Sequence, residues 1–145
     1  MDGGKNEFRY TWAVGDAGTI LFHNGVAWTE QASGSTAILY GVFALDASHV
    51  WAVGQAGTTL FYNGSEWSTQ ASGTTDTLFR TTAVDETHVW AVGEGGMIIF
   101  VDGVSGVLQD GGTTDTLYGV SALDASHVWA VGASGIILFG TEELL

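Results

Sequence analysis

The chain has 145 residues and a formal net charge of −13, from 16 Asp and Glu against 3 Lys and Arg. This charge repels phosphate backbones and anionic lipid, so it argues against nucleic acid and acidic membranes as partners. With 46% hydrophobic residues, six Trp and no Cys, the composition indicates one globular domain over residues 1–145, with a real core and no disulfides.

A short motif recurs four times along the chain. Trp-Ala-Val-Gly begins every 39 residues, at Trp12, Trp51, Trp90 and Trp129. Other columns keep the same period, among them Gln31, Gln70 and Gln109. The period divides the chain into repeats of approximately 1–38, 39–77, 78–116 and 117–145. Repeats of this kind bury their faces only against their neighbours.

Each repeat contains short β-rich runs separated by turn residues, most clearly in the second repeat. Its four runs are 39–45, 49–53, 58–62 and 66–70, and the pair Asn63-Gly64 predicts a hairpin turn before the last run. No segment has the periodicity of a helix. A period near 40 with four strands is typical of a propeller blade. The sequence therefore predicts an all-β fold, a β-propeller of four-stranded, 39-residue blades with about four blades per chain.

The ends of the chain leave two arrangements open for closing the ring. The first repeat lacks a clear counterpart of the run 39–45, and the last repeat stops before its fourth strand. A closed four-bladed ring requires the termini, including Glu7 to Tyr10, to share a blade. In the other arrangement, which we favour, a homo-oligomer of two or more copies completes one ring, because four blades is the lower limit for propellers.

Three blocks of the second repeat carry a family resemblance: 39–42 (LYGV), 49–54 (HVWAVG) and 57–67 (GTTLFYNGSEW). Together they resemble the WAVG-type, BNR-like propeller repeats of bacteria and archaea, which are akin to those of the photosystem II assembly factor group. The resemblance covers nearly the whole chain and implies an interaction module of an extracellular or cell-surface protein. The polar residues 1–7 lack the apolar stretch of a signal peptide, and no window approaches the roughly 18 apolar residues of a membrane-spanning helix.

In three repeats an Asp is followed three residues later by a His. The pairs are Asp46 and His49, Asp85 and His88, and Asp124 and His127. We expect each Asp to cap a turn and each His to pack beside the next strand, because equivalent positions on separate blades are too far apart for metal bonds of about 2 Å. No calcium loop or nucleophile elbow occurs, and two Arg are too few to clamp a sialidase substrate. The sequence predicts a protein that is not an enzyme and needs no cofactor or metal, with a glycoside hydrolase as the minor alternative.

Aromatic columns supply the candidate binding residues. The four motif tryptophans are assigned to the core between blades. Trp28 and Trp67 follow the hairpin turns at Asn24 and Asn63, and a flat indole beside amide groups is suited to hold a sugar face or a peptide side chain. The structural alternative is that these two tryptophans close the outer strand. Tyr40 and Tyr118 begin the first strand of their repeats and are open to both interpretations.

The function that these columns predict is multivalent recognition by a non-enzymatic scaffold, with a glycan as the first ligand and a protein surface as the second. The alternative is a self-assembling structural or designed propeller without a ligand. Segments 46–51 and 124–129 are identical (DASHVW), which indicates recent duplication or design. In both cases a second copy of the chain is an expected partner.

Overall fold

The structure, a computed structural model, describes residues 9–103 and 105–141. Its strands form four antiparallel sheets in which strands that follow one another in the chain are paired. We name the sheets the first to fourth blades, in chain order. The first blade contains β1 (Thr11–Val14), β2 (Ile20–His23) and β3 (Trp28–Gln31). The second contains β4 (Leu39–Asp46), β5 (His49–Gly54), β6 (Thr59–Tyr62) and β7 (Trp67–Thr69). The third contains β8 (Leu78–Asp85), β9 (His88–Gly93), β10 (Ile98–Val101) and β11 (Gly106–Gln109), and the fourth contains β12 (Leu117–Asp124), β13 (His127–Gly132) and β14 (Ile137–Gly140).

The all-β prediction is confirmed, and the strands of the second blade lie within two residues of the predicted runs. A three-residue 3-10 turn follows the motif glycine in every blade, as at Gln55–Gly57. The part of the chain that the structure describes contains no α-helix. No helix among these residues is therefore long and apolar enough to cross a membrane.

The hairpin predicted at Asn63 and Gly64 is present, but only Gly64 has a positive φ, of 98°. Asn63 instead accepts hydrogen bonds through its side-chain Oδ1 from the backbone N–H groups of Ser65, at 2.8 Å, and Glu66, at 2.9 Å. This is the Asx-turn use of asparagine, in which the side chain stabilises the loop. Asn24 makes the equivalent bonds in the first blade.

Neighbouring blades pack face to face because side chains alternate along each strand. In β5, Val50 and Ala52 pack against the first blade, whereas Trp51 and Val53 pack against the third. One strand thus supplies both interfaces of its blade. The inner strands β4, β8 and β12 also lie beside one another. This succession of packed meander sheets is the arrangement of propeller blades.

The glycine that ends the motif in the second, third and fourth blades is explained by the close approach of the chain that links two blades. A Cβ atom built on Gly93 would lie 2.0 Å from the carbonyl oxygen of Thr77, and one on Gly54 would lie 2.1 Å from that of Ile38. No side chain fits at these positions. At Gly15, the equivalent residue of the first blade, such a Cβ would have no atom within 4 Å.

Half of the segment from Glu7 to Tyr10, which the sequence predicts to help close the ring, lies outside the described residues, since residues 7 and 8 are not among them. Tyr10 is described and lies just before β1. Its ring contacts that of Phe22, with the centroids 5.2 Å apart. Closure through the termini therefore stays a prediction.

Candidate functional site

An aromatic row crosses the inner strands of the second, third and fourth blades. Tyr40, Phe79 and Tyr118 occupy the same position near the start of β4, β8 and β12. The ring centroids of Tyr40 and Phe79 are 5.2 Å apart, and those of Phe79 and Tyr118 are 5.4 Å apart. Tyr40 is 40% exposed and Tyr118 is 55% exposed. The aromatic row therefore offers two exposed tyrosine rings to solvent, connected through the half-buried ring of Phe79.

The row forms because each inner strand begins with a buried leucine followed by the aromatic residue. Leu39, Leu78 and Leu117 are almost fully buried, and the aromatic residue that follows each of them lies at a register shift between its inner strand and the next strand of the blade. Gly41 allows the second and third blades to approach, since a Cβ there would lie 2.7 Å from the carbonyl oxygen of Phe79. The close approach of the inner strands brings the rings into contact.

A positive charge is held beside the aromatic row by Arg80. Its Nη1 donates hydrogen bonds to the carbonyl oxygen of Tyr40, at 3.0 Å, and to that of Phe79, at 2.7 Å. The bond to Tyr40 joins the inner strands of the second and third blades, whereas the bond to Phe79 lies within β8. Arg80 is exposed, so it is part of the surface that a ligand of the row would meet.

The two tryptophans predicted to bind a ligand have different environments. Trp67 is only 8% exposed, and its Nε1 donates to Gln31 Oε1 at 2.8 Å. Trp12 Nε1 donates to the same oxygen at 3.1 Å. Trp67 is thus packed between the first and second blades, and a ligand-binding role for it stays a prediction. Trp28 is 50% exposed and contacts the His23 ring edge-on, with the centroids 5.0 Å apart.

The structure does not bring all the predicted site residues together. Among the described residues, no ring contact joins Trp28 to the aromatic row. The side-chain oxygens of Asn24 and Asn63 are used within their own turns. Only Tyr40 and Tyr118 belong to one shared surface, and Phe79 connects them.

The motif tryptophans line the interfaces between blades, with one exception. Trp12, Trp51 and Trp90 are buried, whereas Trp129 is 38% exposed. Trp129 pairs with Phe139, and Val131 pairs with Ile137, across β13 and β14. Their side chains form one exposed apolar surface of the fourth blade, which we name the trailing face; its members are Trp129, Val131, Ile137 and Phe139.

The repeated Asp and His side chains pair within their own hairpins. Asp46 Oδ1 accepts from the backbone N–H of Ser48 at 2.8 Å and lies 2.7 Å from His49 Nδ1. The hydrogen bond to His49 lowers the pKa of Asp46, and the same bond raises the pKa of His49. The third and fourth blades contain equivalent pairs. Residues 9–103 and 105–141 include no group of three or more side chains arranged to hold a metal ion.

His49 also links two blades, because its Nε2 lies 2.8 Å from Glu86 Oε2 of the third blade. We expect Asp46→Asn to lower the pKa of His49 toward the usual 6.5, since the hydrogen bond to Asp46 is the largest cause of the raised value. Glu86→Gln should lower it by less. An NMR pH titration of the imidazole measures both effects, and an unchanged His49 pKa in Asp46→Asn would contradict the assignment.

The same shifts set the direction of the pH dependence of stability. The raised pKa of His49 stabilises the fold below pH 6.5, and this contribution is lost as pH rises through the folded-state pKa. The lowered pKa of Asp46 stabilises the fold above pH 3.8, and this contribution is lost as pH falls through its folded-state pKa. The pair therefore contributes most between these two values.

The fold defines the chain as a β-propeller whose inner strands carry an exposed aromatic row. No protein-family model and no curated protein matches the sequence. Among solved structures, YCF48 from Cyanidioschyzon merolae is similar, with a TM-score of 0.72 and 17% sequence identity; the match covers 99% of this chain and 54% of that chain. A second similar structure is YCF48 bound to D1 peptide, with a TM-score of 0.57 and 13% identity; the match covers 92% of this chain and 60% of that chain.

These likenesses establish the fold, and the chain spans little more than half the length of either solved structure. The propeller fold that the predicted resemblance implies is thus confirmed. The narrower assignment to WAVG-type, BNR-like repeats stays a prediction.

Proposed function

We propose that this protein is a non-enzymatic β-propeller that binds a segment of another protein across the aromatic row. The observation that carries the proposal is the contiguous set of rings of Tyr40, Phe79 and Tyr118, of which the two tyrosines are exposed. Tyrosine provides a large contact area with little side-chain entropy to lose, and it is enriched at the residues that dominate binding. The complex of a YCF48 with D1 peptide supports the proposal, because it involves peptide binding by a protein of similar fold.

The charge of the chain indicates the kind of segment that fits. With a net charge of −13, the protein attracts a basic partner from a distance, and this attraction weakens as salt is added. Arg80 beside the aromatic row favours a local acceptor, such as a main-chain carbonyl of the bound segment. The proposed ligand is therefore an extended peptide with net positive charge and apolar or aromatic side chains.

The repetition of the polar side chains supports a role without catalysis. The Asp and His pairs of three blades serve the turns of their own hairpins, whereas an active site needs different groups that converge on one point. A glycoside hydrolase would need two carboxyl groups facing each other across a sugar-sized pocket.

Replacing Tyr40 or Tyr118 by alanine tests the proposed site. We expect each substitution to weaken binding about tenfold, or by roughly 1.4 kcal/mol, because an aromatic contact of this size is lost. The measurement is a titration by calorimetry with the basic peptide that binds best on an array of short peptides of varied charge. The matched control is Val26→Ala, since Val26 is 87% exposed and lies away from the row. Equal affinity of wild type and both tyrosine variants would contradict the proposal.

A glycan is the second candidate ligand, and the observation that favours it is the half-exposed indole of Trp28. On a glycan array, Trp28→Ala should then lose the binding that Tyr40→Ala retains. Binding that is lost in Tyr40→Ala and kept in Trp28→Ala would place the glycan on the aromatic row instead. The extracellular or cell-surface location implied by the repeat resemblance remains part of the proposal.

We further propose that copies of the chain associate through the trailing face. The equivalent face of the first blade carries Trp12, which packs against Val50, Ala52 and Trp67 of the second blade. Trp28 of the first blade has the same position as Trp67 but is half exposed. A second copy that placed its first blade against the trailing face would cover both apolar surfaces. A ligand-free, self-assembling propeller would rely on this contact alone.

A further inference from the structure

A cleft of about 330 Å³ lies between the second and third blades, on a part of the molecule distinct from the aromatic row. The second blade contributes His49, Trp51, Phe61 and Gln70 to its walls, and the third blade contributes Glu86, Thr87, Asp102 and Gly103. One wall is therefore aromatic with an amide and an imidazole, and the other carries two carboxylates, of which that of Glu86 lies 2.8 Å from His49 Nε2.

Two polar atoms in the walls of this cleft lack a hydrogen-bond partner. Trp51 Nε1 and Gln70 Oε1 are shielded from solvent, yet neither forms a hydrogen bond within the protein. Trp51 is 99% buried, with 1% of its surface exposed. Buried donors and acceptors are normally paired, because leaving one unpaired opposes folding. A donor and an acceptor without partners in one cleft point to a ligand that supplies both.

The interface between the first and second blades identifies what is missing. There Gln31 Oε1 accepts hydrogen bonds from Trp12 Nε1 and Trp67 Nε1. In the next interface the residues at these three positions are Gln70, Trp51 and Gly106. The second indole is absent, and the bond between the remaining tryptophan and glutamine is not made.

The backbone at Gly106 prevents the chain itself from filling the gap. Gly106 N–H donates to the carbonyl oxygen of Ala71 at 2.9 Å. A Cβ atom on Gly106 would lie 2.7 Å from the carbonyl oxygen of Ser72. The strand β11 is thereby held against the second blade without a side chain at this position, and the cleft stays open beside Trp51 and Gln70.

We propose that this cleft binds a main-chain amide of a peptide next to a positively charged side chain. The amide carbonyl accepts from Trp51 Nε1, and the amide N–H donates to Gln70 Oε1. The charged group lies toward Glu86 and Asp102, while its apolar stem packs on Phe61. This inference rests on the proposed function, since it names a second contact for a basic protein segment.

Other ligands satisfy fewer of these groups. A lone cation has no acceptor to offer the N–H of Trp51, and an anion without a donor has nothing to offer Gln70 Oε1. An uncharged amide pairs with Trp51 and Gln70 but gains nothing from Glu86 and Asp102. The chemistry of the walls therefore favours an amide and a cation in one ligand.

The test uses the full chain and N-acetyl-lysine N-methylamide, which combines amides with an ammonium group. We expect the indole ¹H–¹⁵N signal of Trp51, assigned from Trp51→Phe, to move saturably with a dissociation constant of about 1 mM. The internal control is Trp90, whose Nε1 is also buried and unpaired but adjoins a cavity of only about 20 Å³. Its signal should not move.

Variants distinguish the parts of the proposed contact, with binding measured by calorimetry. Gln70→Leu and Trp51→Phe should each weaken binding roughly tenfold, and Trp90→Phe should leave it unchanged. N-acetyl-norleucine N-methylamide, which lacks the charge, should bind several-fold more weakly. An acetamido sugar, N-acetylglucosamine, should not displace the blocked lysine.

The inference is overturned if the Trp51 signal does not respond, if Trp90 responds equally, or if Gln70→Leu binds as tightly as wild type. The outcome is separable from that of the proposed function. Tyr40→Ala should leave the Trp51 titration unchanged. If the blocked lysine binds in the cleft but no peptide binds the aromatic row, only the proposed function is wrong. If peptide binding depends on Tyr40 and Tyr118 but the Trp51 signal does not respond, only the present inference is wrong.

Discussion

Gly93→Ala is expected to lower the free energy of unfolding by about 3 kcal/mol, although it adds only one methyl group. The added Cβ would lie 2.0 Å from the carbonyl oxygen of Thr77, so the link between the third and fourth blades must shift. That link also accepts a hydrogen bond at the same oxygen from the N–H of Glu94, at 2.9 Å. The shift therefore disturbs both packing and hydrogen bonding, and urea unfolding measures the loss.

Gly15→Ala is the matched control, because Gly15 ends the same motif in the first blade. Its φ is −169°, which any residue adopts, and a Cβ there would meet no atom within 4 Å. We expect its free energy of unfolding to stay within about 0.5 kcal/mol of wild type. Equal destabilisation by the two substitutions would show that close approach between blades is not the reason for the motif glycine.

Trp90→Ala should destabilise the fold by about 3–5 kcal/mol, the range for removing a large aromatic side chain from a core. Trp90 is almost fully buried against the fourth blade, in a cluster with Leu117, Val128 and Ala130. Trp129→Ala changes the same motif position in the fourth blade, where the side chain is partly exposed. Its effect on the unfolding of dilute protein should be about 1 kcal/mol or less.

The Trp129 variant also tests the proposed association of copies. If the trailing face is covered by a second copy, Trp129→Ala should raise the dissociation constant of the oligomer at least tenfold, as measured by sedimentation over a concentration series. Trp28→Ala should act in the same direction, since Trp28 lies on the opposing face of the first blade. A wild-type protein that stays monomeric at high concentration would contradict the association.

Much of the fold is predictable because its determinants are local and repeated four times. The Trp-Ala-Val-Gly spacing and the turn at Asn63 and Gly64 define strand lengths and hairpins without reference to distant residues. The role of the motif glycine was not predictable, because it depends on a backbone oxygen of the preceding link. The hairpin geometry was only partly predictable. A turn with positive φ at both Asn63 and Gly64 was expected, but Asn63 has no positive φ and stabilises the turn through the hydrogen bonds of its side chain.

The candidate site was less accessible to sequence reasoning. Tyr40 and Tyr118 were identified from their columns, and the alignment of Phe79 with them was the available signal for the aromatic row. Contact between their rings depends on how closely the inner strands approach, which spacing alone does not reveal. Trp28 and Trp67 look equivalent in sequence, but only Trp67 has a preceding blade among the described residues to cover it. Gly106 stands where the first two repeats have tryptophan, which indicates a difference between the blade interfaces. That Trp51 Nε1 and Gln70 Oε1 lack hydrogen-bond partners becomes evident only in the packed interface.

Peptide binding by the aromatic row is tested by an aromatic ¹H–¹³C NMR titration of the full chain with the best basic peptide from the array. We expect saturable shifts of the Tyr40, Phe79 and Tyr118 ring signals, which weaken as salt is added, while the ring signals of Trp28 stay in place. Peptide binding that leaves all three rings of the aromatic row unperturbed would show that the peptide binds elsewhere.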